Sequence, residues 1–251
     1  MSSERQLLDR NDPWWGEHVH RYNEVVKYLV QDDVVLDLAC GTGFGSEILA
    51  QQTNGLVIGG DIDKKAIREC INIWKRENLR FEIVDGTNLV FPDSYFDKIV
   101  SFETIEHTTQ YQKMLEEFYR VLKPGGLAFI STPNFPVNSP SGRVTNPYNT
   151  QEFTFQELNQ LLSGIFGKVE IMGQKYSRYD DGKVSSLGKV IERFFGIIGI
   201  RKLPYGIKNR VSKVFTKRPF YPTADDFSMV SDHKALLKCK TFFCICRKKE
   251  S

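Results

Sequence analysis

Apolar and polar positions follow two rhythms along this chain. Short apolar bursts fall near 34–39, 55–60, 80–84, 96–102 and 127–132, the pattern of strands buried on both faces. Near 44–52, 63–77 and 109–122, apolar residues recur every three or four positions, which predicts amphipathic helices. A first helix is expected over 13–30, with Asp12 as N-cap and Pro13 at the first helical position. Asp63 reads as a cap for the helix that follows it, and Pro124-Gly125-Gly126 as a helix stop. A further helix is expected near 154–164, capped by Thr154, then a sixth strand over 168–173 and a seventh over 241–246. Alternating strands and helices predict an α/β fold with a doubly wound, mostly parallel sheet of seven strands. The sixth strand should run parallel to the others. The insertion that separates it from the seventh, about 174–235, should then emerge at the ligand-binding edge.

The most informative stretch is Val35 to Gly45, VLDLACGTGFG. An apolar strand ends in an acid, Asp37, and glycines follow at Gly41, Gly43 and Gly45. Glycine lets a ligand approach the backbone closely and tolerates positive φ. A helix that starts just after the turn aims its free N–H groups at that ligand. The next strand ends in Asp61, twenty residues after Gly41, where a nucleotide site places the acid that holds ribose hydroxyls. This spacing alone also fits a dinucleotide site.

Composition narrows the class. The chain has 251 residues, 41% of them apolar, enough for one full α/β core. No apolar run reaches the length of a membrane span, and the polar start MSSERQLLDRND lacks the apolar core of a signal peptide. The five scattered cysteines read as structural thiols of a reducing cytoplasm, without metal-ligand spacing. The net charge of +3 conceals an asymmetry: residues 189–218 hold nine Lys or Arg and one acid, a local +8, leaving −5 elsewhere. That segment interleaves FFGIIGI with Arg201, Lys202, Lys208 and Arg210. It fits a lid that grips phosphate groups, peripheral contact with an anionic membrane at its inner face, or a solvated basic helix face.

Three segments in order, VLDLACGTGFGSEIL with VIGGDID, FEIVDGTNLVFPDSYFDKIVSFETIEH and RVLKPGGLAFISTPN, strongly resemble class I S-adenosylmethionine-dependent methyltransferases. Ala39 stands where many members have the first glycine of the motif. The resemblance implies S-adenosylmethionine as cofactor. It places Asp37, Ala39, Gly41 and Gly43 at the methionine end and Asp61 with Ile62 at the ribose. Asp85 and Gly86 fall at the adenine, and Phe102 in the same pocket. HVHRY, His18 to Tyr22, resembles a segment of methyltransferases found with glycan and O-antigen assembly enzymes. There Arg21 would meet the methionine carboxylate and Tyr22 would cover the sulfonium. The implied organisation is one domain over 1–251, with an N-terminal helical cap over 1–33 and a basic insertion over 174–235.

SFETIEH supplies the catalytic candidates Glu103, Glu106 and His107. If the segment is helical these residues share one face. They could then supply a general base at His107, bind a divalent metal, or simply pack beside the cofactor. The pattern resembles metal-dependent small-RNA 2′-O-methyltransferases and ubiquinone-pathway O-methyltransferases. However, Asn149 stands where the completing histidine of the metal site would be, so no metal is expected. The reading that results is a cytoplasmic O-methyltransferase acting on a glycan or on a lipid- or nucleotide-linked glycan precursor. Alternatives are a quinone precursor or small phenol, RNA, and a cofactor-binding regulatory subunit without turnover. The absence of an aromatic-interleaved basic module argues against a nucleic-acid partner.

Overall fold

The structure is a computed structural model and describes residues 14–177 and 222–250. Residues 22–175 and 229–250 belong to one compact unit. Residues 14–21, 176–177 and 222–228 belong to a second, and the division falls inside the first helix, between Arg21 and Tyr22. The basic segment 189–218 and the proposed cap Asp12-Pro13 lie outside the described residues.

Helix α1 spans Trp15–Val26. The chain then alternates β1 (Val35–Leu38), α2 (Phe44–Ala50), β2 (Val57–Asp61), α3 (Lys64–Ile73), β3 (Leu79–Ile83), β4 (Phe96–Phe102), α4 (Tyr111–Val121) and β5 (Leu122–Pro133). It continues through α5 (Phe135–Asn138), α6 (Phe155–Ile165), β6 (Lys168–Tyr176), β7 (Phe227–Val230), α7 (His233–Leu236) and β8 (Thr241–Arg247). The sheet has eight strands in the order β3-β2-β1-β4-β5-β8-β6-β7, one more than the seven expected. The extra strand is the edge segment Phe227–Val230, four residues long, too short to show an apolar period. Strands β1 to β5 are parallel, and β8 runs antiparallel to both β5 and β6. β6 therefore keeps the direction of the first five strands, as expected.

One face of the sheet carries Leu36, Leu38, Ile58, Ile99, Ala128 and Ile130 into the main core. Met114, Leu115 and Phe118 of α4 and Leu158 and Leu162 of α6 close over it. Their spacing is that of a helix stripe, which is why these two segments fold as helices here. Thr154 caps α6 with a full capping box: Glu157 N–H donates to Thr154 Oγ1, while the Glu157 carboxylate accepts from Thr154 N–H. Asp63 caps α3 by accepting from Lys65 N–H and Ala66 N–H.

Pro124-Gly125-Gly126 does not separate helix from strand, as expected of a stop. It lies inside β5, where the pairing with β4 jumps from Phe96↔Leu122 to Lys98↔Leu127. Gly125 at φ 73° absorbs that irregularity.

The order β2-β1-β4 reverses the winding between β1 and β4. Ligands of open α/β sheets bind at such a switch point, beyond the C-terminal ends of the strands. The turn after β1 and the segment after β4 meet there.

Candidate functional site

The turn after β1 is built from left-handed residues. Ala39, Gly41 and Gly43 have φ of 59°, 58° and 77°. Ala39 thus holds a conformation natural to glycine, the residue that the motif resemblance implies at that place. A Cβ on Gly41 would meet no atom within 4 Å, so this backbone faces open space and admits a ligand. The turn is braced from behind: Trp74 Nε1–H donates to the Thr42 carbonyl at 2.9 Å and the Cys70 thiol to the Gly41 carbonyl at 3.3 Å.

Gly45 has a different task from the one its motif position suggests. A Cβ there would fall 1.9 Å from Tyr22 Cζ, so this glycine lets the tyrosine ring lie on α2. The Tyr22 ring meets Phe44 and Phe102 edge-on, with centroids 5.5 and 5.0 Å apart. Its hydroxyl donates to Asp37 Oδ1 at 3.0 Å, and the Ser46 hydroxyl donates to Oδ2 at 2.6 Å. Burial pushes the Asp37 carboxyl up to about 7, against the two hydroxyl donors, and the nearby Asp61 adds to the rise. Arg21, one residue before Tyr22, is fully buried and belongs to the other compact unit.

Asp61 ties β2 to the glycine turn. Its Oδ2 accepts from Gly41 N–H at 3.0 Å and its Oδ1 from Asp63 N–H at 2.9 Å. Each oxygen keeps a further lone pair for a ligand hydroxyl. Ile62 beside it is 70% exposed, an apolar surface next to an acid. Asp85 is exposed, and its Oδ1 accepts from Thr87 N–H and from the Thr87 hydroxyl, both at 2.8 Å. Those hydrogen bonds hold its carboxyl below the ordinary range. Gly86 is buried. A Cβ on it would lie 2.7 Å from Leu38 Cδ2 and 2.9 Å from Met114 Cε, so its glycine serves packing.

The segment after β4 departs from expectation. It is not an α-helix: Glu103 leaves the strand at φ 49°, and only Ile105–His107 forms a 3₁₀ turn. Glu103 N–H still bonds the Ser131 carbonyl at 3.0 Å, and the Ser131 hydroxyl donates to Glu103 Oε1 at 2.8 Å. The sheet therefore holds Glu103 while the chain turns away, and the three side chains do not share a helix face. Glu106 is buried, with Oε2 accepting from the Thr132 hydroxyl at 3.1 Å, whereas His107 is exposed. Among the described residues no three His, Cys, Asp or Glu side chains lie close enough to hold a metal. Asn149, at the position of the missing histidine, donates from Nδ2 to Glu152 Oε1 at 3.0 Å.

One contact was not visible in the sequence. His107 Nδ1 lies 3.0 Å from the Tyr148 carbonyl oxygen. A carbonyl can only accept, so Nδ1 carries a proton, and in the neutral form of the ring the lone pair lies on Nε2.

Residues 35–126 match the family model described as a methyltransferase domain. A probable S-adenosylmethionine-dependent methyltransferase of Mycolicibacterium smegmatis is 32% identical over 174 residues, covering 68% of this chain and 66% of the relative. A Mycobacterium tuberculosis protein of the same description is 32% identical over 167 residues, covering 64% of this chain and 59% of that one. The matched region thus spans less than two thirds of these curated relatives. The YcgJ protein from Bacillus subtilis shares the fold, with a TM-score of 0.61 at 18% identity over 93% of this chain and all of that one. Residues 35–126 belong to a class I S-adenosylmethionine-dependent methyltransferase domain, set in a mixed, mostly parallel sheet in which β8 runs antiparallel to β5 and β6. Among its described residues no helix is long and apolar enough to cross a membrane.

Proposed function

We propose that this chain transfers a methyl group from S-adenosylmethionine to a hydroxyl of a small acceptor, with His107 as general base. S-adenosylmethionine would supply an electrophilic methyl group on a sulfonium centre. The open face of Gly41 and the acids around it fit that molecule. Asp37 would balance its positive end, Asp61 would accept from the ribose hydroxyls beside Ile62, and Asp85 would meet the adenine edge. Tyr22 and Phe102 would wall the pocket. These residues mainly bind, align and exclude water, and alignment can lower a barrier by roughly 7–11 kcal/mol in favourable cases.

The observation that carries the base assignment is the His107 Nδ1 contact with the Tyr148 carbonyl at 3.0 Å. It sets the neutral tautomer of an exposed imidazole as the Nδ1–H form, in the 3₁₀ turn that follows β4. An aliphatic hydroxyl gains most from such a base, worth about 10²–10⁴-fold. The acceptor class we favour is a glycan or a lipid- or nucleotide-linked glycan precursor. The support is the joint occurrence of HVHRY, SFETIEH, STPN and NPYNTQEFT in this chain. Incubation of wild type and His107→Gln with labelled methyl donor, against nucleotide sugars, lipid-linked glycans, phenols and RNA, tests both parts. The expected result is label on a sugar hydroxyl, lost at least 100-fold in the variant with cofactor affinity unchanged. Equal rates in the two proteins would remove His107 from the chemistry.

A further inference from the structure

The 3₁₀ turn that carries His107 is too short to hold its own carbonyl groups. It has three residues, and His107 N–H donates to the Thr104 carbonyl at 3.0 Å. Thr108 follows in an extended conformation. The carbonyls of Ile105, Glu106 and Thr108 therefore need outside donors.

Two residues from a distant loop supply them. Gln151 Nε2 donates to the Ile105 carbonyl at 2.8 Å and to the Thr108 carbonyl at 2.9 Å. The Glu106 carbonyl accepts from Thr150 N–H at 2.8 Å, the Thr150 hydroxyl at 3.0 Å and Gln151 N–H at 3.3 Å. The same loop then reaches the ring itself, through the Tyr148 carbonyl. One short segment thus fixes both the backbone beneath His107 and the acceptor that sets its tautomer. All of these residues lie within one compact unit.

We propose that Gln151 is a positioning residue for His107: its side-chain amide, with Thr150, clamps the turn so that the Tyr148 carbonyl holds the imidazole with its lone pair on Nε2. The clamp rests on the base assignment above only for its effect on rate. Its effect on the tautomer is independent of that assignment. A purely structural tie would stabilise the loop and leave the ring chemistry alone, so the tautomer separates the two roles.

The test is Gln151→Met, which keeps much of the side-chain volume and removes both donors. Long-range ¹⁵N–¹H spectra of the imidazoles are recorded above neutral pH, with His107 assigned by its loss in His107→Gln. Wild type should show the Nδ1–H form of His107 as the dominant species. In Gln151→Met that form should fall at least threefold relative to Nε2–H, with S-adenosylmethionine affinity unchanged within twofold. With an acceptor found by the methyl-label panel, kcat should fall by a similar or larger factor while the cofactor KM holds. An unchanged tautomer ratio in Gln151→Met overturns the clamp. A shifted tautomer with unchanged kcat leaves the clamp standing and removes His107 as the base. Should Gln151→Met fail to fold, Thr150→Val deletes one donor to the Glu106 carbonyl and must shift the ratio in the same direction. An unshifted ratio there overturns the proposal too.

Discussion

Replacing Ala39 by glycine should stabilise this protein. Ala39 sits at φ 59° and its side chain is exposed, so the methyl group brings strain and little packing. A left-handed conformation costs an L-residue roughly 1–2 kcal/mol, and glycine escapes that cost. Glycine in turn loses about 0.5–1 kcal/mol more conformational freedom on folding. The balance favours Ala39→Gly by roughly 0.5–1 kcal/mol, which for a domain of this size raises the melting midpoint by about 1–4 °C. The assay is thermal and urea unfolding of the ligand-free protein, with Gly41→Ala as the reciprocal control. Gly41 has φ 58°, and an added Cβ would meet no neighbour within 4 Å. The control should therefore lose only the conformational term, about 1 kcal/mol. Its cofactor affinity should fall much further, because the Cβ would project into the space the cofactor needs. If Ala39→Gly lowers stability by about 1 kcal/mol or more, the backbone reading of this turn is wrong.

Three other substitutions probe the same site. The Asp37 carboxyl is raised to about 7 from an ordinary value near 4, so its proton favours the folded state. Its stabilising effect is complete below pH 4 and is lost as pH rises to 7. The pH dependence of urea unfolding should show a loss of up to about 4 kcal/mol across that window relative to Asp37→Asn. His18, lowered by burial and by Arg21, changes stability in the opposite sense in both proteins and cancels in the comparison. Gly45→Ala drives a methyl group into Tyr22 and should cost about 1–3 kcal/mol by chemical denaturation, as overpacking does. Asp61→Ala should weaken S-adenosylmethionine binding by roughly 1.5–3 kcal/mol in titration calorimetry, the worth of a hydrogen bond to a charged group.

Much of the fold is legible in the sequence because its signals are local. The bursts at 34–39 and 96–102 become β1 and β4, and Asp63 and Thr154 cap the helices they precede. These features depend on residues within one turn or strand of each other. The glycine that the motif resemblance implies at position 39 also has a local cause, visible as the φ of 59° at Ala39. What sequence leaves hidden acts across the chain. Gly45 looks like a third ligand-facing glycine, yet its constraint comes from Tyr22, twenty-three residues earlier. SFETIEH has helical spacing, but Glu103 is bonded to Ser131 on the neighbouring strand and leaves β4 in a left-handed conformation. Gln151 lies inside NPYNTQEFT, but its spacing there suggests no role; its contacts exist only because folding brings it to the Ile105 and Thr108 carbonyls. Phe227–Val230 becomes a strand by lying at a sheet edge and not by its own pattern.

The destination of the methyl group is the most direct test of an O-methyltransferase activity. Wild-type protein supplied with ¹³C-methyl-labelled S-adenosylmethionine and the acceptor panel yields a product whose methyl carbon can be read directly by NMR. The expected product shows an O-methyl resonance coupled to a sugar carbon, absent with His107→Gln although that variant binds the cofactor normally. A methyl group on nitrogen or carbon, or cofactor binding with no transfer to any hydroxyl acceptor, would contradict that activity.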